Sequence, residues 1–344
     1  MRTATAPSIA GMESPRARRR RRARPPRRRA LLSAALATIA VAGATAAGTV
    51  YVTARAHPGA GAVSSAASAS ADGEAPVESA TEAAVDRDAL LAAAMEAVPV
   101  ADGAEVSVAV LDPESGAGAT YGTGVFDTAS IVKVDILATL LLRAQDAGRT
   151  LTAEEKAYAV DMIENSDNDA ATALWQAIGA AQGLDAANER FGLTATEGGD
   201  GPLWGLTRTT AADQIALLRQ VFGAEGSALS EASRAYLGEL MGRIAEDQRW
   251  GVSAAADGTS GAWALKNGWL RRSTTGLWVV NSIGRVTSGG HDRLVAVLSR
   301  GSATQAAGVS LTEAVARAAV SVFAGADDGR AAGGDGAAGD QKSS

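Results

Sequence analysis

Three groups of residues in this chain have the types and spacing needed for acyl transfer: Ser130 with Lys133, Ser166-Asp167-Asn168, and Lys266-Asn267-Gly268. A serine hydroxyl is a poor nucleophile until a base removes its proton. Lys133 lies one helical turn from Ser130, on the same face. Its neighbours Ile131, Val132, Val134, Ile136 and Leu137 strip water from an ammonium and favour the neutral amine, which is a base. The chain has only four lysines, and this one interrupts a largely apolar run. Lys266, at the end of an apolar segment, can attract a carboxylate. Gly268 removes a side chain where a substrate must lie along a strand. Each group also has a plain structural reading. Ser130 can cap a helix while Lys133 snorkels from it. Ser, Asp and Asn are common helix caps, and Lys-Asn-Gly can form a hairpin turn. Three such groups together, in this order, favour chemistry over capping.

The order Ser-x-x-Lys, Ser-Asp-Asn, Lys-x-Gly resembles the class A β-lactamase and penicillin-binding-protein family. The third motif departs from the family pattern, with Asn267 where Thr is usual. The resemblance implies attack by Ser130 on a substrate carbonyl, with Lys133 as base or proton relay. It implies that Ser166 hands a proton to the leaving nitrogen and that Lys266 faces Ser166 across a cleft. Asn168 would hold Lys133 and bind the substrate's side-chain amide, while Asp167 would face inward and orient its loop. Asn267, Gly268 and Trp269 would line the substrate, and the N–H groups of Ser130 and Trp269 would form an oxyanion hole. The implied reaction is acylation of Ser130 and hydrolysis of a β-lactam amide. The alternatives are a D-Ala-D-Ala peptidase acting on peptidoglycan, or a cell-envelope binding protein that keeps the fold without turnover. No metal or organic cofactor is implied. Clearing the acyl group is the weak point. The family's Glu-x-x-Leu-Asn loop is absent from residues 193–208, leaving Glu197 as the candidate base for deacylation, with Asp200 and Glu164 as further candidates.

Composition narrows the field. There is no cysteine, which removes disulfides, thiol nucleophiles and a lipid-modified cysteine. Two histidines and no Gly-x-Ser-x-Gly elbow thin out the other hydrolase classes. Residues 1–56 hold twelve arginines and one acid, a net of +11 within a whole-chain charge of −6, so the remainder carries −17. An acidic body argues against nucleic acid as a partner. The basic end reads as targeting: residues 1–29 form a cytoplasmic basic segment, and Ala30 to Ala54 carries no charge. The apolar segment, 30–56, is a membrane anchor or a signal peptide with Ala54-Arg55-Ala56 as cleavage site. The paired arginines before it are similar to a twin-arginine export signal. The expected product is an exported monomer, held at the cell surface through residues 30–54 or secreted.

These residues need elements to position them. Residues 57–87 read as a linker, 325–344 as a disordered tail, and 88–324 as the folded domain. Helical spacing covers 88–98, a helix from Ser130 to about 147, one opened by a Thr152/Glu155 capping box, and then 169–178, 210–222, 231–244 and 311–323. Strand patterns cover 105–112, 117–122, 263–266, 277–283 and 294–298. Strands at both ends with helices between them give an α+β fold, β-lactamase/transpeptidase-like. The antiparallel sheet is drawn from both chain ends, beside a helical lobe.

Overall fold

The computed structural model describes residues 85–324 except 224, 259 and 260. The segments read as targeting, most of the linker, and the tail lie outside the described residues. Helix α1 (Arg87–Met95) starts at the linker boundary, with the Asp86 carboxylate accepting from the Ala89 N–H at 3.0 Å. Strands β1 (Glu105–Leu111) and β2 (Gly118–Tyr121) follow, then a short β3 (Phe126–Asp127). The middle of the chain is helical: α2 (Val132–Asp146), α3 (Ala153–Glu164), α4 (Asn168–Ala177) and α5 (Ala180–Phe191). After β4 (Arg208–Thr209) come α6 (Ala211–Phe222) and α7 (Glu231–Met241). The chain returns through β5 (Trp263–Arg271), β6 (Trp278–Ser288) and β7 (His291–Ser302), and α8 (Gln305–Ser321) closes it.

The sheet order is β2-β1-β7-β6-β5, antiparallel throughout, so the last strand sits at the centre and binds the first third of the chain. Side chains alternate across a strand, and here both faces are covered. Val108, Val110, Val295 and Val297 pack with Leu91, Leu311 and Val315 of α1 and α8. Ala109, Leu294, Ala296 and Leu298 join the opposite core, built by the helical lobe. That double burial explains why β7 reads as an unbroken apolar run.

Helix α2 is the axis of the lobe. Every residue from Val132 to Leu142 is buried, Lys133 and Asp135 included. The expected helix start at Ser130 is displaced: Ala129–Ile131 forms a 3₁₀ turn, and α2 begins at Val132. The Thr152/Glu155 capping box forms as read. Helix α5 has no counterpart in the sequence reading, and β5, β6 and β7 extend beyond the segments expected for them.

Candidate active site

Four elements meet at the site. The 3₁₀ turn before α2 carries Ser130, and its entry residue Ala129 has a φ of 49°. Ser166, in the turn between α3 and α4, has a φ of 55°. Left-handed backbone at a non-glycine residue costs roughly 1–3 kcal/mol and persists only where the surroundings enforce it. Asp167 caps α4 by accepting from the Ala170 N–H at 2.7 Å. The tripeptide is therefore both cap and site. Its aspartate is exposed and satisfies the helix end rather than facing inward, which leaves Ser166 and Asn168 for the cleft.

Lys133, fully buried, donates to three acceptors: the Ser166 carbonyl at 2.7 Å, Ser166 Oγ at 3.1 Å and Asn168 Oδ1 at 2.9 Å. Burial holds its amine down to about 7, partly offset by the charge of Asp167. Lys266 approaches from β5, buried as well, and donates to Ser166 Oγ at 2.9 Å and to the Asn267 carbonyl at 2.9 Å. Its affinity for a proton is lowered well below that of a free lysine, first by burial and then by Lys133. Ser166 Oγ thus receives a donor from each lysine. With both lone pairs engaged, its own O–H is left to point away from them. Ser130 is half-buried, and its hydroxyl makes no hydrogen bond to any described residue.

Gly268 explains how β5 comes so close. A Cβ built there would stand 2.6 Å from the Ser130 nitrogen, 2.7 Å from that of Ile131 and 2.9 Å from the Thr128 carbonyl. Asn267 is turned to a different use from the one expected. It is buried, and its amide N–H groups go to the carbonyls of Gln248 at 2.7 Å and Trp250 at 2.9 Å. It ties down the segment ahead of β5 instead of presenting donors to a substrate. Trp269 is half-buried against Trp250, with ring centroids 5.8 Å apart and planes tilted by 59°.

The candidates for deacylation stand apart from this cluster. Glu197 is exposed, its backbone paired with Arg208 at 2.9 Å in both directions, and its side chain hydrogen-bonds to none of Ser130, Lys133 or Ser166. Glu164 pairs with Arg243 at 3.2 Å, and Asp200 is exposed in the loop. Arg272, just beyond β5, is paired with Asp127 at 3.0 Å. Among the described residues, no group of three or more His, Asp or Glu side chains could hold a metal ion.

Two contributors lie outside the three motifs. Buried Asn281 donates to the carbonyls of Asp127 at 2.9 Å and Thr128 at 3.0 Å, and accepts from the Ser299 N–H at 3.0 Å. It fastens the chain leading into Ser130 to the centre of the sheet. The other is Trp204, whose ring centroid lies 5.0 Å from Lys133 Nζ.

An α+β frame that brings a serine and two buried lysines around a second serine defines a serine-hydrolase architecture of the β-lactamase/transpeptidase type. The chain matches the β-lactamase enzyme family over residues 142–323, just over half its length, and belongs to that family. The matched span includes Ser166 and Lys266, while Ser130 and Lys133 precede it. A protein named "Putative lipoprotein LppW" in Mycobacterium tuberculosis and Mycobacterium bovis is 30% identical over 176 residues, 49% of this chain. The match covers 55% of those relatives, so the chain spans about half their length. The solved structure of PBP-A superposes with a TM-score of 0.58 at 22% identity, covering 69% of this chain and 96% of that one. A PBP-A variant captured as an acyl-enzyme with penicillin G gives 0.57, also at 22% identity, over 69% and 97%. A β-lactamase from Xanthomonas campestris gives 0.55 at 22% identity, with coverage of 69% and 97%.

Proposed function

We propose that the protein is an exported serine acyl-transfer hydrolase, acylated on Ser130 by a β-lactam amide or by a D-alanyl peptide of the cell wall. The observation that carries this reading is the convergence of Lys133 and Lys266 on Ser166, with Asn168 holding Lys133, beside a half-buried, unbonded Ser130 hydroxyl. Lys133, having lost one proton and released one of its three acceptors, takes the Ser130 proton as Oγ attacks the carbonyl carbon. Backbone N–H groups of Ser130 and Trp269 stabilise the oxyanion. Ser166, its O–H directed away from both lysines, passes a proton to the departing nitrogen and regains one from Lys133, which donates to its Oγ. A substrate carboxylate at the Lys266 end restores that lysine's charge, because an anion offsets what burial removes. Asn168, exposed at the cleft, binds the substrate's side-chain amide.

Export rests on the arginine block and uncharged stretch of residues 1–54, and the relative described as a lipoprotein is consistent with an envelope location. A cysteine-linked lipid does not serve this sequence, which has no cysteine. Among the described residues no helix is long and apolar enough to cross a membrane, so any anchor belongs to the N-terminal apolar stretch.

Intact-mass measurement after mixing with benzylpenicillin tests the assignment. The expected result is one penicilloyl increment on the wild type and none on Ser130→Ala. Loss of the adduct within seconds favours β-lactam hydrolysis, and a persistent adduct favours the peptidase. No adduct from any β-lactam would leave the envelope-binding protein.

A further inference from the structure

Hydrolysis of an ester on Ser130 has fixed requirements. A water oxygen must reach the carbonyl carbon, and a base beside it must take the water's proton. The bond from the carbon to Ser130 Oγ then breaks, Ser130 regains a proton, and the acid leaves. No carboxylate hydrogen-bonds to Ser130, Lys133 or Ser166 among the described residues, so Lys133 is the base at hand. Its three donor directions already point at the Ser166 carbonyl, Ser166 Oγ and Asn168 Oδ1. The indole of Trp204 also packs beside this nitrogen, its ring centroid 5.0 Å from Nζ.

Trp204 is held there firmly. Its indole N–H donates to Thr172 Oγ1 at 3.2 Å, and that hydroxyl donates to the Asn168 carbonyl at 2.9 Å. Asn168 in turn accepts from Lys133, so ring, helix α4 and lysine form one closed circuit. The loop bearing Trp204 is fixed on both flanks. Buried Trp175 donates its indole N–H to the Gly201 carbonyl at 2.8 Å, and the Thr128 N–H donates to the Thr207 carbonyl at 2.8 Å. At Gly205 a built Cβ would stand 4.0 Å from the Ala129 Cα, immediately before the nucleophile. The loop is thus seated against Lys133 and against Ala129, the residue before Ser130.

We propose that Trp204 is a positioning residue that screens Lys133 from water and so sets the lifetime of the acyl group on Ser130. The inference rests on acylation at Ser130. It deepens that reading by assigning the lifetime of the adduct to one side chain: an indole fills a place beside the base that water would otherwise take. The same ring keeps water from the Lys133 ammonium, and an aromatic face attracts a cation more weakly than full hydration does. Removing the ring therefore has two separable effects: water gains access to the ester, and Lys133 holds its proton to higher pH.

The test uses the complete folded chain with Trp204→Ala, Trp204→Phe and Thr172→Val. Adduct formation and decay with benzylpenicillin are followed by intact mass across pH. Lys133 protonation is followed in the unligated protein by NMR of its side-chain methylene and amine. Trp204→Ala is expected to shorten the adduct lifetime by about tenfold or more, within the usual range for access to a general base. It is also expected to raise the Lys133 midpoint from about 7. Trp204→Phe, which keeps a ring, should stay near the wild type, and Thr172→Val, which frees the ring's tether, should move part of the way. An adduct of unchanged lifetime in Trp204→Ala overturns the proposal. If the wild type forms no adduct, acylation itself fails, and a Lys133 midpoint unmoved by Trp204→Ala then overturns the screening role independently.

Discussion

At Gly268 one hydrogen in place of a methyl group separates a working cleft from a blocked one. The neighbours that an added Cβ would meet are backbone nitrogens of Ser130 and Ile131, inside a turn that leads straight into buried α2. They cannot step aside as a flexible side-chain end could. Gly268→Ala is therefore expected to lower the rate of Ser130 acylation by about 100-fold or more, the usual consequence of displacing an oxyanion donor. Circular dichroism should stay native while adduct formation falls. An acylation rate within a fewfold of the wild type would mean that the turn can give way. Asn267 supports a contrasting expectation. Restoring the family's residue with Asn267→Thr removes at least one donor to the Gln248 and Trp250 carbonyls. Leaving such a buried acceptor unmet costs about 1–3 kcal/mol, to be read as a lower denaturation midpoint. The motif is thus locally adapted: once the segment before β5 relies on the amide, Thr is no longer the better residue. The candidates Ser130, Lys133, Ser166 and Lys266 could be picked out by motif order and by a lysine misplaced in an apolar helix. Trp204 could be named only as a residue that frames the cleft or fills the core, because a tryptophan in a loop has the same sequence signature whether it fills a core or covers an amine.

The helices around the site carry a buried acid that no step of the chemistry uses. Asp135, on α2 five residues beyond Ser130, is pushed up to about 8 by burial and, further, by Asp185 of α5 and Asp213 of α6. Asn188 of α5 partly opposes this: with its amide nitrogen turned toward the carboxyl, it donates to both oxygens at 3.0 and 3.1 Å. Asp213 meanwhile accepts from the Ala195 N–H at 2.8 Å and Thr196 Oγ1 at 2.7 Å, and Asp185 accepts from the Gly198 N–H at 2.8 Å. The three acids link α2, α5 and α6 to the loop that carries Trp204. A carboxyl whose folded value lies above its unfolded one binds an extra proton when folded. Its stabilising effect is complete below the unfolded value of 3.8, declines as pH rises, and is gone above about 8. Urea titrations should therefore lose up to about 1.4 kcal/mol per pH unit across part of this window, flattening above it. Asp135→Asn should remove most of that slope. A slope identical in the variant would place the proton elsewhere. Helix α5 itself went unread although Leu184, Ala187 and Phe191 have helical spacing and are buried. Gly179 and Gly183 at its start masked the pattern, and Gly183 packs against the Ile178 carbonyl, where a side chain would collide. The strands were read too short for a related reason. On β6 the expected strand stops at 283, before Arg285, Thr287 and Ser288, while Asn281 and Ser282 within it meet partners distant in sequence, the Thr128 carbonyl and the Val252 N–H, which no local pattern can display.

Across the molecule, the chain's two ends had to be read together before the site made sense. β1 contributes Glu105 to Leu111 and pairs with β7 from Arg300 to Leu294, almost two hundred residues later. The Arg300 guanidinium reinforces the pairing, donating to Glu105 at 3.0 Å and to the Val125 carbonyl at 2.9 Å. The sequence indicated the shared sheet because only end-to-end pairing could satisfy strands flanking a helical middle. It did not indicate that β7 would be central, since strand order follows from which faces α1, α8 and the lobe must cover. Ser130 enters from the first third, Ser166 from the middle and Lys266 from the last. The site can therefore exist only when the long-range pairing is complete, and a sheet closed over such separations forms slowly. Native-state hydrogen exchange tests whether these parts form one unit. Amides of β1 and β7 are expected to exchange together and slowest, through global unfolding alone. Amides of residues 193–207, of which those of Ala195, Gly198 and Gly199 are held by the side chains of Asp213, Asp185 and Thr207, should open at lower free energy. If β1 exchanged as fast as that loop, the first third would be a loosely docked segment. Ser130 would then owe its placement to Gly268 and Asn281 alone, and Asn281→Ala would abolish acylation instead of only weakening it.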